Sequence, residues 1–315
     1  MLRRKALKKI IITTFVLFVV LTFYMIPSKK KDDDISYHYV DVKDVSVYLL
    51  NNNDQLTKVD FKVNDGTLKD ILTLVICKLI KSNDDTIPHN FKQVIPHDVK
   101  ILDLNIDEGI VSINFSEEFL NIKNDDIEKV VEAISYSLFD FKEVSGVSLY
   151  IEGENISKYF SRKIPDIIKK DYGINKRFEL KNLNDVSKVV IYYIDNVDDK
   201  DYYVPITKYV NDDRDKIKII IDELSSNYVY ESNLISLLDK NIELLDYEIK
   251  NDVMTLNFNN SIFMTNDDIL EEVVYSISYS VFANYDVNEV IFKVDGADFT
   301  KKNTKSYWII KEFLI

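Results

Sequence analysis

Glycine, proline, histidine and cysteine are all scarce in this chain, and each shortage removes a class of protein. Six glycines and five prolines among 315 residues exclude collagen-like and low-complexity architectures. The chain also has no glycine-rich phosphate loop and no serine nucleophile elbow. A single cysteine, Cys77, allows no internal disulfide and no cysteine-rich zinc site. Its apolar setting, Leu72-Thr-Leu-Val-Ile-Cys-Lys-Leu-Ile80, predicts a buried thiol. The only histidines are His38, His89 and His97. They form no HExxH pattern and no three-ligand cluster, so neither a metal nor a cofactor is expected. His89 and His97, each closing an Ile-Pro-His triplet, read as loop residues.

Positive charge is concentrated at one end. The formal net charge is −13, yet Arg3, Arg4, Lys5, Lys8, Lys9, Lys29, Lys30 and Lys31 all fall within the first 31 residues, which hold no acid. Setting those eight charges aside leaves −21 on the remainder. So acidic a body repels nucleic acid and anionic polymers. Its partners are expected to be neutral, cationic or held by shape.

Between the two basic clusters, Ile10 to Ile26 is an apolar run of 17 residues broken only by threonines. Its length suits a short membrane-spanning helix, and no small-x-small cleavage site follows it. The stronger basic flank lies before it, which predicts a cytoplasmic N-terminus and an extracytoplasmic body. Residues 1–31 are therefore read as a basic segment and transmembrane anchor, and 32–44 as a charged stalk.

What is abundant is self-similarity. Asp125 to Asn155 returns as Asp267 to Asp298, with matching ISYS cores and a glycine at the same place, Gly153 and Gly296. Upstream, Asp103 to Phe115 aligns with Asp246 to Phe258, and Val45 to Leu50 with Val189 to Ile194. A repeat of about 110 residues is the size of a small domain. The expected organisation is domain 1 at 45–158, a structured linker at 159–187, domain 2 at 188–300 and an apolar tail at 301–315. Each domain reads ββαββαβ: an α+β unit with a mixed sheet and two helices on one face. The turn Asp107-Glu108-Gly109 joins two strands. Asn124-Asp125-Asp126 and Asn266-Asp267-Asp268 are read as the caps of the second helices, and Ile164 to Lys170 as a short helical turn in the linker.

The opening Val-x-Val-Tyr strand, Ile95-Pro96 leading into Leu102-x-x-x-Ile-x-x-Gly109-x-Val-x-Ile-Asn-Phe115, the helix from Asp125 and the closing strand with Gly153 together resemble the GerM family. These are extracytoplasmic sporulation and spore-germination proteins built from GerMN domains. Coverage runs over about 44–158 and 187–300. Repeat two has Leu238-Asp239 where repeat one has Ile95-Pro96. The resemblance implies no enzyme activity. It implies an envelope scaffold that meets other envelope proteins with small α/β domains, in the complex linking mother cell and forespore, and proximity to peptidoglycan. A non-catalytic peptidoglycan-binding module is the alternative, and a wall hydrolase a weaker one. Against the hydrolase, Glu117 and Glu118 become Asn260 and Ser261 in the second copy, so no carboxylate pair is duplicated.

The candidate functional surface is aromatic. With Ile127 at 0°, Val130, Val131, Ile134, Leu138 and Phe141 cluster within about 60° and form the core stripe. Tyr136 and Phe139 fall at roughly 180° and 120°; Tyr279 and Phe282 repeat them, and Tyr275 joins the second set. A second apolar face repeated in both domains needs a cover. The linker, the tail and a separate partner are the available ones, and the five aromatics are read as a packing surface for the neighbouring repeat or a partner.

Overall fold

The computed structural model describes residues 13–18, 42–226, 233–263, 268–295 and 299–305. It falls into two units, Met1–Val40 and Asp41–Ile315. In the first, residues 13–18 are helical. Among the described residues no helix is long and apolar enough to cross a membrane. Most of the expected anchor and stalk, part of the second helix's expected cap (Asn266, Asp267), Gly296 and the tail from 306 lie outside the described residues.

In the second unit the predicted order is found twice. Repeat one runs β1 (Val42–Leu50), β2 (Leu56–Asn64), α1 (Leu68–Leu79), β3 (Ile101–Asp107), β4 (Ile110–Phe115), α2 (Ile127–Phe139), β5 (Gly146–Ile151) and β6 (Glu154–Asn155). A short linker strand β7 (Arg177–Glu179) precedes repeat two. There β8 (Ser187–Val197), β9 (Lys200–Val210), α3 (Lys216–Ser225), β10 (Leu244–Lys250), β11 (Val253–Phe258), α4 (Glu271–Asn284), β12 (Glu289–Val294) and β13 (Thr300–Thr304) follow. Residues 301–304, read as tail from the sequence, thus belong to a strand.

Each repeat divides its strands between two sheets instead of one. The opening hairpin, β1 with β2 or β8 with β9, is antiparallel. The remaining strands form a four-stranded mixed sheet, β3-β4-β5-β6 or β10-β11-β12-β13. In it the outer pairs are antiparallel, and the central pair is parallel, Ile110↔Gly146 through Phe115↔Ile151 and Val253↔Glu289 through Phe258↔Val294. A parallel pair needs a crossover, and α2 and α4 supply it. In repeat one α2 packs against both β1 and β5.

Local chemistry accounts for most element ends. The β3–β4 turn places Glu108 at φ 45° and Gly109 at φ 79°, the two positive angles of a type I′ hairpin. A Cβ at Gly109 would also stand 2.9 Å from Ser145 Oγ. Repeat two makes the same turn with Asn251 and Asp252 at φ 46° and 61°, residue types that tolerate that region. Thr67 caps α1, accepting from Asp70 N at 3.2 Å.

Three sequence expectations are corrected. Cys77 is exposed: α1 buries Ile71, Leu72, Val75, Ile76 and Leu79, and Cys77 lies on the opposite side, about 240° round from Ile71 at 100° per residue. Asp126 makes no side-chain capping bond to α2, because its backbone is helical (φ −94°, ψ −19°) and not in the extended conformation from which a capping side chain reaches the first-turn N–H groups. Asn124 instead accepts from Ser161 N and Oγ, and α4 starts only at Glu271. The linker's helical turn is Lys170–Tyr172, while Ile168 pairs with Val147 as an isolated bridge. Ile164, Ile168 and Ile174 are buried, and Lys176 bridges Glu128 and Glu132 of α2 at 2.7 and 3.2 Å. The linker is thereby clamped to repeat one.

The repeated ISYS motif has a structural reason. Ser137 Oγ donates to Ala133 O at 2.7 Å and accepts from the backbone N–H of Tyr48 in β1 at 2.9 Å. Ser280 does the same in repeat two, donating to Ser276 O and accepting from Tyr192 N. A mid-helix serine bonding four residues back here fastens the free edge of the opening hairpin. Ser137→Ala or Ser280→Ala leaves a buried N–H unpaired and is expected to cost about 1–3 kcal/mol, read as a lower denaturation midpoint at unchanged slope.

Candidate functional site

The two opening hairpins meet in one sheet. Strands β2 and β9, equivalent in the two repeats, pair antiparallel at Lys58↔Tyr203, giving the order β1-β2-β9-β7 with β8 beside β9. Residues that occupy equivalent places then touch each other, as they do across a two-fold axis. Tyr48 and Tyr192, the tyrosines of the two opening strands, share a hydroxyl–hydroxyl hydrogen bond of 3.1 Å. Asn51 Nδ2 donates to Asp195 Oδ2 at 2.7 Å. All four residues are buried. Tyr202 of repeat two sits within the core of repeat one, edge-on to Phe91 at 4.7 Å.

The predicted aromatic residues surround this junction. Tyr136 packs edge-on to Tyr48 at 5.9 Å and to Phe139 at 5.7 Å, and its hydroxyl donates to the linker carbonyl of Lys170 at 3.0 Å. Tyr279 lies 5.6 Å from Tyr192 and 5.1 Å from Tyr203, with Lys58 of repeat one over its ring at 5.3 Å. Tyr275 packs against Tyr203 and Tyr279. Phe139 is buried at 6% exposure, and Phe282 is half-buried with Lys305 Nζ 5.8 Å from its ring. The second aromatic face is thus partly covered, on α2 by its own hairpin and the linker and on α4 by its own hairpin and Lys58 of repeat one. Phe139 is buried 120° from the stripe because α2 packs between two sheets.

A cleft of about 100 Å³ remains at the junction. Tyr136, Phe139, Tyr279 and Phe282 line it with Tyr48 and Tyr192, and Tyr275 does not. Its charges are Lys58, Lys170, Lys305 and Asp140. Lys58 pairs with Asp140 at 3.3 Å. Burial opposes the lysine's charge, but Asp140 and Asp60 outweigh it and hold the ammonium above its ordinary range. Lys170 and Lys305 are both shifted down, chiefly by loss of solvent. Among the described residues, no group of three His, Cys, Asp or Glu side chains is placed to hold a metal ion.

Sequence reasoning found the crossover-helix aromatics and missed their counterparts on the hairpins: Tyr48, Tyr192, Asn51, Asp195 and Lys58. The signal was available in the tyrosines that end Val-x-Val-Tyr and Val-Val-Ile-Tyr at matching positions.

Burial raises both Tyr48 and Tyr192 above the usual tyrosine range. A raised folded value favours the neutral form, so this stabilisation is complete below the unfolded tyrosine value of about 10 and is lost as pH rises through the folded one. Thermal midpoints measured from pH 8 to 11 are expected to fall above pH 10, and to fall less steeply in Tyr48→Phe/Tyr192→Phe.

Comparison with known proteins gives a consistent result. The family described as "Germane: Sporulation and spore germination" matches residues 46–157 and 190–300. The chain is 32% identical over 227 residues to the spore germination protein GerM of Bacillus subtilis (strain 168), an alignment covering 67% of this chain and 60% of that protein. The chain thus spans about three-fifths of that relative's length. The solved tandem GerMN domains of the sporulation protein GerM from Bacillus subtilis match with a TM-score of 0.73 at 27% identity, over 82% of this chain and 92% of that one. With both repeats matched separately by one family and the tandem arrangement matched as a whole, the chain belongs to the Germane family of sporulation and spore germination proteins.

Proposed function

We propose that this chain is a non-enzymatic scaffold of a sporulation or germination envelope complex, tethered to the cell membrane by residues 10–26 with its two domains outside. The observation that carries the reading is the junction of the repeats, where equivalent buried residues fasten two similar domains to one another. Two domains held in a fixed relation present a fixed pair of outer surfaces, which is what assembly of a larger complex uses. The tether adds to this by raising local concentration at one membrane face. The aromatic residues Tyr136, Phe139, Tyr275, Tyr279 and Phe282 serve the neighbouring repeat in this reading, and partner proteins take other faces.

Crosslinking in living cells, followed by purification of the intact chain, tests it. Membrane-anchored envelope proteins with small α/β domains are the expected captures, and removal of residues 1–31 is expected to release the body from the membrane fraction. Recovery of no protein partner, or a membrane fraction unchanged by that deletion, contradicts the reading.

One observation favours a second reading, a peptidoglycan-binding module. Phe178 and Tyr209 stack at 4.7 Å with their rings 12° from parallel, and Phe178 is 67% exposed, a flat surface suited to a sugar ring. Co-sedimentation with purified wall material that is lost in Phe178→Ala is the outcome this reading requires. A scaffold stays in solution.

A further inference from the structure

A second, larger cleft lies between repeat one and the linker. The first turns of α2 form one wall, the β1–β2 turn another, and linker residues Arg162 and Asn175 to Phe178 the third. It encloses about 380 Å³. The linker occurs once, so this cleft is not a product of the duplication. Its polar walls are fixed and electrically balanced, with four acidic and four basic side chains. Lys176 is held by Glu128 at 2.7 Å and Glu132 at 3.2 Å, and Arg162 by Glu128 at 3.4 Å. The backbone N–H of Asn175 donates to Glu132 at 2.9 Å. Such walls set donors beside acceptors without a net charge, which suits hydroxyl groups, since a hydroxyl both donates and accepts.

Two lining residues are left over by folding. Gln55, at 8% exposure, has a side-chain oxygen with no hydrogen-bond partner among the described residues. A buried acceptor left in that state costs stability unless something outside the fold satisfies it. Phe178 is exposed although one of its faces is stacked on Tyr209, so its other face is a flat apolar surface held in place at the cleft. The pairing of β7 with β9 is made by the backbone and does not require an aromatic ring there.

We propose that this cleft binds a neutral saccharide of about two rings, with the C–H face of one ring on Phe178 and a hydroxyl or acetamido N–H of the sugar donating to the Gln55 oxygen. Size sets the length: a water needs about 10–15 Å³ of such space, so 380 Å³ accommodates on the order of 25 to 35 non-hydrogen atoms, a disaccharide. Charge sets the class. The balanced lining gives an acidic sugar no advantage, and the strongly acidic body repels it. The site rests on the wall-binding reading for its aromatic platform, Phe178, and adds to that reading the polar half of the site and the kind of sugar.

The test is saturation-transfer NMR on the full-length chain in a polyoxyethylene detergent, which carries no sugar, with protein-free micelles as the blank. The probes are N,N′-diacetylchitobiose, cellobiose and the acidic digalacturonate. At least one neutral disaccharide is expected to bind in the millimolar range, and digalacturonate no more tightly. Phe178→Ala and Gln55→Leu are each expected to weaken that binding about fivefold or more, the ratio one such contact supplies. Gln55→Leu is expected not to lower the melting temperature, because the oxygen it removes has no partner within the described fold. The proposal is overturned if neither neutral sugar binds at tens of millimolar, if digalacturonate binds more tightly than both, or if a folded Gln55→Leu retains full affinity. Disaccharide binding without co-sedimentation on intact wall keeps the cleft and ends the wall-binding reading. Co-sedimentation that is abolished by Phe178→Ala and untouched by Gln55→Leu, with no disaccharide bound, keeps that reading and ends the cleft.

Discussion

The contact of each repeat with its own counterpart is the constraint on which the rest of the structure depends. Tyr48 meets Tyr192 and Asn51 meets Asp195, all buried, because two copies of one strand approach about a local two-fold. Such an interface has a demanding chemistry, since any polar group placed on it meets a similar group opposite. Tyrosine satisfies the demand, because a hydroxyl both donates and accepts. The Asn51–Asp195 pair satisfies it by divergence, one copy having become a donor and the other an acceptor. Buried polar pairs of this kind cost free energy unless they are fully bonded, and so favour one arrangement over looser ones.

From that contact the layering follows. The hairpins are drawn together at the junction, and each crossover helix is held to its hairpin by a serine on a backbone N–H. The mixed sheets then lie on the far side of the helices in each repeat. Helices placed between two sheets bury two faces, which is why both the Ile-Val-Leu stripe and the tyrosine-phenylalanine face are apolar. Divergence between the copies is concentrated where symmetry would be awkward. A second aspartate at Ala283, for example, would face Asp140 across the junction.

The element order was legible because the chain carries its own alignment: two copies of one pattern separate structural positions from incidental ones. The strand pair at Asp103–Phe115, the crossover helix and the closing strand could be placed from sequence for that reason. Reading from local composition did worse. Cys77 looked buried because its neighbours are apolar, whereas helical phase puts it outside. Asn124 and Asp126 looked like caps because of residue type, whereas Asp126 has a helical backbone and Asn124 accepts from Ser161 of the linker. The partition into two sheets per repeat, the pairing of β2 with β9 and the cleft's lysines depend on contacts between distant segments. The division of strands between sheets is set by helix packing, which no local pattern encodes.

The claim that the two repeats form one body through these equivalent residues is tested most directly by calorimetry of the intact chain. A single cooperative transition is predicted, resolving into two when Asn51 and Asp195 are both replaced by leucine and Tyr48 and Tyr192 by phenylalanine. Two independent transitions in the unaltered chain would contradict it.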